Sequence, residues 1–260
     1  MNLPTLFVSH GSPMLAIEDS PARRFLLQLG KTLPRPKAIV VASAHWESMG
    51  GLAVSLASHP QTIHDFGGFP EALFDLQYPV QGAPDTAARA AELLETAGFA
   101  VKRIATRGLD HGAWVPLRLM YPDADIPTTQ VSLHRGASPA EHEQMGKALR
   151  KLREDDVLII GSGSLTHNLC AFRGASIDAG VPFWVSEFGD WMHTRLQANQ
   201  RESLLDYRAQ APFAVRNHPS EEHLLPLFFA MGAAGDTPKA KRLHASYEYA
   251  ALAMDTYAFS

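Results

Sequence analysis

Twelve histidines stand among 260 residues that hold a single cysteine, and three of them close apolar runs. TLFVSH ends on His10, AIVVASAH ends on His45, and VLIIGSGSLTH passes a Gly-Ser turn to reach His167. Imidazole is the commonest protein metal ligand and the usual general base near neutral pH. One histidine after a strand reads as a partner for a backbone carbonyl; three in the same place form a constellation. LDHGAW adds Asp110 and His111 just ahead of Gly112 at a helix start, and NHPSEEHLLP puts His218 and His223 around the N-terminus of another helix. A helix N-terminus disfavours a protonated imidazole and so leaves a nitrogen lone pair free for a metal. Alone, His223 reads as a first-turn residue facing solvent, with Glu221 and Glu222 complementing the dipole. Beside His10 and His45 the ligand reading gains weight.

The other histidines carry less. His134 and His142 read as strand-end and helix-surface residues, and His193, among Trp184, Phe188 and Trp191, as partly buried. His64 and His244 remain further candidates to line a site.

Elements must bring these residues together. Strand patterns cover 5–10, 37–46, 51–58, 100–107, 128–134 and 155–167, with a last one in SYEYAALAMDTY, 246–257. Several are short, continuous and rich in Val and Ile, as strands buried on both faces of a parallel sheet are. Helical spacing covers 20–33, 84–99 with Asp85 as its cap, 138–152 with the capping box Ser138 and Glu141, a long stretch at 182–209, and 220–235 with a Ser cap. The alternation predicts an α/β fold: a single three-layer domain, residues 1–260, around a mainly parallel central sheet. Ligands of such sheets bind outside the carboxyl ends of the strands, which is where His10, His45 and His167 fall. The segment HPQTIHDFGGFPEALFDLQYPVQGAP, 59–84, is long enough to act as a lid or binding loop.

Composition narrows the classes. Hydrophobic residues make up 46% and charged residues 19%, with a formal net charge of −4, so there is material for a core and no nucleic-acid footprint. The longest apolar runs fall well short of the ~20 residues of a membrane-spanning helix. The N-terminus reads as a first strand and not a signal peptide. One cysteine, Cys170, excludes an intrachain disulfide, fits a reducing cytoplasm, and reads as a small buried thiol. GSGS at 161–164 lacks the Lys-Ser/Thr ending of a phosphate loop, and neither G-x-S-x-G nor H-E-x-x-H occurs.

HGSP at 10–13, SAHWE at 43–47, DHGAW at 110–114, GSGSLTHNL at 161–169 and HPSEEHLLPL at 218–227 together resemble the 4,5-DOPA extradiol dioxygenase family, within the class III extradiol ring-cleaving dioxygenases. The resemblance spans nearly the whole chain, with the motifs in order. It implies a metal held by His10, His45 and His223, with His167 as general base and His111 close to the substrate and oxygen site. It implies a catechol, DOPA-like or related, cleaved with O2 beside its diol to a semialdehyde. Phe66, Phe69 and Trp114 are candidates to wall the ring. Class III enzymes at large resemble two-histidine, one-carboxylate iron sites, whereas the third position here is His223, with Glu221 and Glu222 beside it as candidates to assist. Three neutral ligands also suit zinc. Fe(II) is expected for activity, Zn(II) as a possible occupant. The alternatives are a zinc-dependent hydrolase using metal-bound water, and a closed structural zinc site.

Overall fold

Ile39 and Val41 bury their side chains on one face of a sheet, and Val40 and Ala42 bury theirs on the other. A strand's side chains alternate, so burial of both sets places this strand between two layers. The protein is described by a computed structural model covering residues 3–260, apart from the side chain of Phe172. Its strands are β1 (Thr5–Ser9), β2 (Ala38–Ser48), β3 (Leu52–Ser55), β4 (Val101–Ile104), β5 (Thr128–His134), β6 (Val157–Gly163), β7 (Ala240–His244), β8 (Tyr247–Glu248), β9 (Leu252–Ala253) and β10 (Thr256–Phe259). Eight form one sheet in the order β4-β3-β5-β2-β6-β1-β10-β7, and β8 and β9 form a small separate ribbon. The central four, β5, β2, β6 and β1, run parallel. At one side β10 and β7 add antiparallel; at the other, β3 joins β5 antiparallel and carries β4 parallel to itself. The expected mainly parallel α/β sheet is present.

The helices are α1 (Pro21–Thr32), α2 (Glu71–Phe74), α3 (Pro84–Thr96), α4 (His111–Met120), α5 (Pro139–Leu149), α6 (Leu169–Phe172), α7 (Phe183–Gln197), α8 (Arg201–Leu205), α9 (Tyr207–Gln210), α10 (Ala214–Asn217) and α11 (Leu225–Ala234). Residues of α3, α5, α7 and α11 share one core with one face of the sheet, and residues of α1 and α4 share a second core with the other. From Leu225 to Ala233 every residue of α11 is buried, as expected of a helix that is apolar all round. No described helix is long and apolar enough to cross a membrane.

Several expectations need correction. The stretch 182–209 is not one helix: Asn199 takes a left-handed φ of 50° and splits α7 from α8, a conformation asparagine tolerates. α11 starts at Leu225 rather than Ser220, with Pro226 in the first turn, where its missing N–H costs nothing. Asp85 does not cap α3, whose N-cap is Ala83 with Pro84 following. SYEYAALAMDTY is broken by Tyr249 and Ala250, both at positive φ, so that only its end joins the main sheet. His142 is fully buried, its Nε2 accepting from the His134 main-chain N–H at 3.3 Å, and Cys170 is exposed. Ser138 does cap α5, accepting from the Glu141 main-chain N–H at 3.2 Å.

Two features of the sheet position the site. Parallel pairing of Ser9 with Gly163 and of Ser43 with Ser162 brings the carboxyl ends of β1, β2 and β6 to one edge. Along β2 the pairing with β5 then jumps from Ala42–Val131 to Glu47–Leu133. The intervening bulge holds Ser43 and His45, and bulges re-aim side chains in this way.

Candidate active site

The Nε2 atoms of His10 and His45 lie 3.0 Å apart, and Nε2 of His223 lies 3.3 Å from that of His45. His10 is at the tip of β1, His45 in the bulge of β2, and His223 just ahead of α11. Two glycines make the approach possible. A Cβ on Gly163 would stand 2.1 Å from the carbonyl oxygen of His223, so the bare end of β6 lets that backbone settle onto the sheet, where Ser164 N–H donates to it at 2.8 Å. A Cβ on Gly112 would meet Ser43 Oγ at 2.4 Å and the rings of His45 and His10 at 3.0 and 3.1 Å.

Each of the three rings has an acceptor or a carboxylate behind its other nitrogen. Ser162 Oγ donates to the carbonyl of Gly112 and stands 3.0 Å from His10 Nδ1, from which it therefore accepts. Glu222 Oε1 accepts from His223 Nδ1 at 2.9 Å, and Asp65 Oδ2 lies 3.4 Å from His45 Nδ1. A carboxylate only accepts, so the nitrogen facing it carries the hydrogen. With His45 in the same tautomer as His10 and His223, all three Nε2 lone pairs point at one another without a hydrogen between them. That arrangement is repulsive by itself and fits a cation with nitrogen ligands, each backed by an outer partner.

The electrostatics agree. His10 and His223 are held well below the ordinary imidazole range, first by burial and then by the neighbouring histidines. His45 is lowered to about 4, again chiefly by burial. Metal ligation requires the neutral ring, and these surroundings enforce it. The carboxylates near the rings are oriented behind them. Glu222 binds the Nδ1 side of His223, and Glu221 turns away to accept from Tyr207 Oη at 2.9 Å.

His111 and His167 flank the cluster. His111 opens α4, whose N-cap Asp110 accepts from the Ala113 main-chain N–H at 3.2 Å, Ser43 Oγ at 2.6 Å, Gln130 Nε2 at 2.9 Å and Arg107 Nη2 at 3.1 Å. This web ties the helix start to β2 and β5 and sets the His111 ring 3.9 Å from that of His45. Asp65 Oδ1 accepts from His111 twice, from the main-chain N–H at 2.9 Å and from Nδ1 at 3.0 Å. Burial alone would raise the Asp65 carboxyl, but the hydrogen bonds from His111 help bring it down to about 2. His167 follows β6 and is lowered to about 4 by burial. A cavity of about 320 Å³ opens over the cluster, lined by His45, His111, His167 and His223 with Phe66, Phe69, Leu169 and Leu252 among its walls.

Five histidines singled out from the sequence thus meet: His10, His45, His111, His167 and His223. His64 and His244 are not among the cavity's lining residues. His64 Nε2 pairs with the carbonyl of Leu76 at 3.0 Å, and His244 stacks on Phe25 at 4.7 Å. Trp114 is likewise absent from the lining; it is fully buried and donates to the carbonyl of Ile63 at 3.0 Å. His218 is buried with Nε2 on the carbonyl of Leu165 at 2.9 Å. Sequence reasoning missed Asp65 and Ser162. The first sits in the long segment 59–84 already marked as a binding loop; the second lies in the GSGS stretch, set aside because it is no phosphate loop.

Residues 4–260 match a family described as the catalytic LigB subunit of aromatic ring-opening dioxygenase. The chain is 42% identical over 260 residues to a protein of Beta vulgaris named 4,5-DOPA dioxygenase extradiol, covering 98% of this chain and 96% of the relative. A protein of the same name from Escherichia coli (strain K12) is 40% identical over 234 residues, covering 89% and 85%. The crystal structure of an uncharacterized protein from Escherichia coli K12 superposes with a TM-score of 0.82 at 32% identity, covering 99% of this chain and 100% of that one. Family match, relatives and fold agree over almost the full length, and the chain belongs to the LigB family of metal-dependent, extradiol aromatic ring-opening dioxygenases.

Proposed function

We propose that residues 1–260 act as one catalytic domain that opens a single-ring catechol, DOPA or a close relative, beside its diol, with Fe(II) held by Nε2 of His10, His45 and His223. The observation that carries this reading is the convergence of those three lone pairs beneath a cavity rimmed by His111 and His167. At about 320 Å³ the cavity stands near the small end of ligand pockets, which suits one aromatic ring. The names of the relatives supply the DOPA-like substrate class. Iron bound there supplies a redox route between the ring and O2 that zinc, which has no redox chemistry, lacks.

The chain's own residues do the rest. His167 is neutral at physiological pH because burial holds it near 4, so its lone pair takes the proton of one substrate hydroxyl. The charge it acquires is offset by Glu222, which favours the protonated ring. His111 has its Nδ1 hydrogen committed to Asp65 and turns its other nitrogen to the substrate, where it accepts a hydrogen bond from a substrate hydroxyl. Phe66, Phe69 and Leu252 hold the ring and exclude water. We place the protein in a reducing cytoplasm, where the single exposed thiol of Cys170 persists.

The test is an oxygen-electrode assay. Protein stripped of metal is reloaded anaerobically with Fe(II) or Zn(II) and given a catechol panel that includes DOPA. Oxygen uptake with a new yellow chromophore, with Fe(II) alone, supports iron and the substrate class. No uptake with any catechol from protein that binds one metal rejects both.

A further inference from the structure

Asp65 belongs to none of the helices or strands, yet its carboxylate is shared by two of the five histidines. Oδ1 takes both hydrogen bonds from His111, and Oδ2 faces His45 Nδ1 at 3.4 Å. His10 and His223 have separate holders, Ser162 and Glu222. Among the described residues no other side chain pairs with Nδ1 of His45. Its ring touches that of His111 at 3.9 Å between centroids, so the two imidazoles lie on one carboxylate like two leaves on one hinge.

We infer that Asp65 is the positioning residue that sets the tautomer of both His45 and His111, through one oxygen to each ring. This rests on the reading of His45 as a metal ligand. Because a carboxylate can only accept, both rings carry their hydrogen on Nδ1 and present a bare Nε2 inward. In His45 that lone pair goes to the metal; in His111 it accepts from a substrate hydroxyl. The negative charge that a two-histidine, one-carboxylate site holds on the metal itself stands here one imidazole further out, behind the ring of His45. Phe66, which walls the cavity, is the next residue, so one stretch of the loop sets both the imidazoles and the substrate wall. An amide in place of the carboxylate offers an oxygen to only one ring and an N–H to the other, and the ring that meets the N–H must turn over or switch tautomer.

The experiment is two-bond 1H–15N correlation NMR of histidine-labelled protein, metal-free and zinc-loaded, for wild type, Asp65→Asn and Glu222→Gln, with zinc affinity measured by chelator competition. Wild type is expected to show Nδ1–H at both His45 and His111 before zinc is added. Asp65→Asn is expected to lose it at one of them and to bind zinc 10- to 100-fold more weakly, the usual cost of removing an outer partner of a ligand. Glu222→Gln is expected to weaken zinc while leaving the His45 and His111 signals in place, which a merely structural role for Asp65 would not separate. Thr62→Ala, which removes the hydroxyl that accepts from the Tyr78 main-chain N–H at 2.9 Å and pins the same loop, is expected to leave both tautomers as they are. Nε2–H at His45 or His111 in metal-free wild type overturns the inference, and so does an Asp65→Asn protein with both tautomers intact and zinc affinity within twofold. Failure of the ligand reading looks different: zinc binds wild type without moving the His45 resonances, while the metal-free spectra still judge Asp65.

Discussion

The imidazole of His167 lies flat against that of His223, with centroids 3.5 Å apart and planes 7° from parallel. The stack puts a neutral base beside a proposed metal ligand without using the ligand's own nitrogens. Backbone bonds hold it: His167 N–H donates to the carbonyl of Asn217 at 3.0 Å, and Ser164 N–H donates to that of His223 at 2.8 Å. Base and ligand come from segments more than fifty residues apart in sequence, and the end of β6 is what registers them.

This stack makes His167→Ala informative. The expected result is a fall in kcat of about 10²- to 10⁴-fold, the usual weight of a general base, with metal content unchanged. Oxygen uptake at saturating catechol, paired with metal analysis of the same sample, checks it. A matching loss of metal would mean that His167 holds the site together and does not serve as its base.

Removing a ligand should act the other way. His10→Ala, His45→Ala and His223→Ala are each expected to lose tight metal binding and, with it, activity. A ligand at 100 times its Kd adds about 2.7 kcal/mol to stability, so saturating Zn(II) should raise the Tm of metal-free wild type and leave that of the three variants nearly still. Differential scanning fluorimetry with and without metal reads this directly.

Gly163 tests the backbone approach. In Gly163→Ala the new methyl falls 2.1 Å from the carbonyl oxygen of His223, and main chain on both sides leaves little room to give. Overpacking of this kind costs about 1–3 kcal/mol, and His223 should shift enough to weaken metal binding as well. Gly180→Ala, where nothing lies within 4 Å of the added carbon, is expected to match wild type in urea unfolding.

Asp255 gives a pH dependence away from the histidine cluster. Burial raises its carboxyl to about 6 against the opposing pull of Arg242, which lies 3.5 Å away. The unfolded chain titrates near the ordinary value, so between these limits the folded state binds more protons. The stabilising contribution is full below the unfolded value and is lost as pH rises through about 6. Asp255→Asn lacks this loss. Its stability relative to wild type should therefore rise by about 2–3 kcal/mol between pH 4 and pH 7. Urea unfolding of both proteins across that range checks the sign, since the buried histidines titrate in both and cancel in the difference.

Much of this was legible in the chain itself. Apolar runs ending on His10 and His45, the glycines after Ile160, and Asp110 ahead of His111 are local patterns. They report burial and capping, because side-chain alternation and helix termini depend on neighbours in sequence. They located three strand tips and one helix start, and with them four of the five histidines. His223 stood out only by company, since its own surroundings read as a solvated first turn. What tertiary structure alone decided were relations across the chain. Asp65 reaches His45 and His111 because the 59–84 loop folds back over the sheet edge, and nothing in the spacing of HDFGGF encodes that return. Ser162 holds His10 because β6 runs parallel to β1 in a particular register. Trp114 and His64 were drawn from the site into packing and backbone bonds for the same reason: which surface an aromatic or imidazole meets is set by how layers stack. Residue types determined that strand tips and helix starts carry imidazoles. Strand order, the bulge in β2 and the bare backbone at Gly163 decided that three of them share one point.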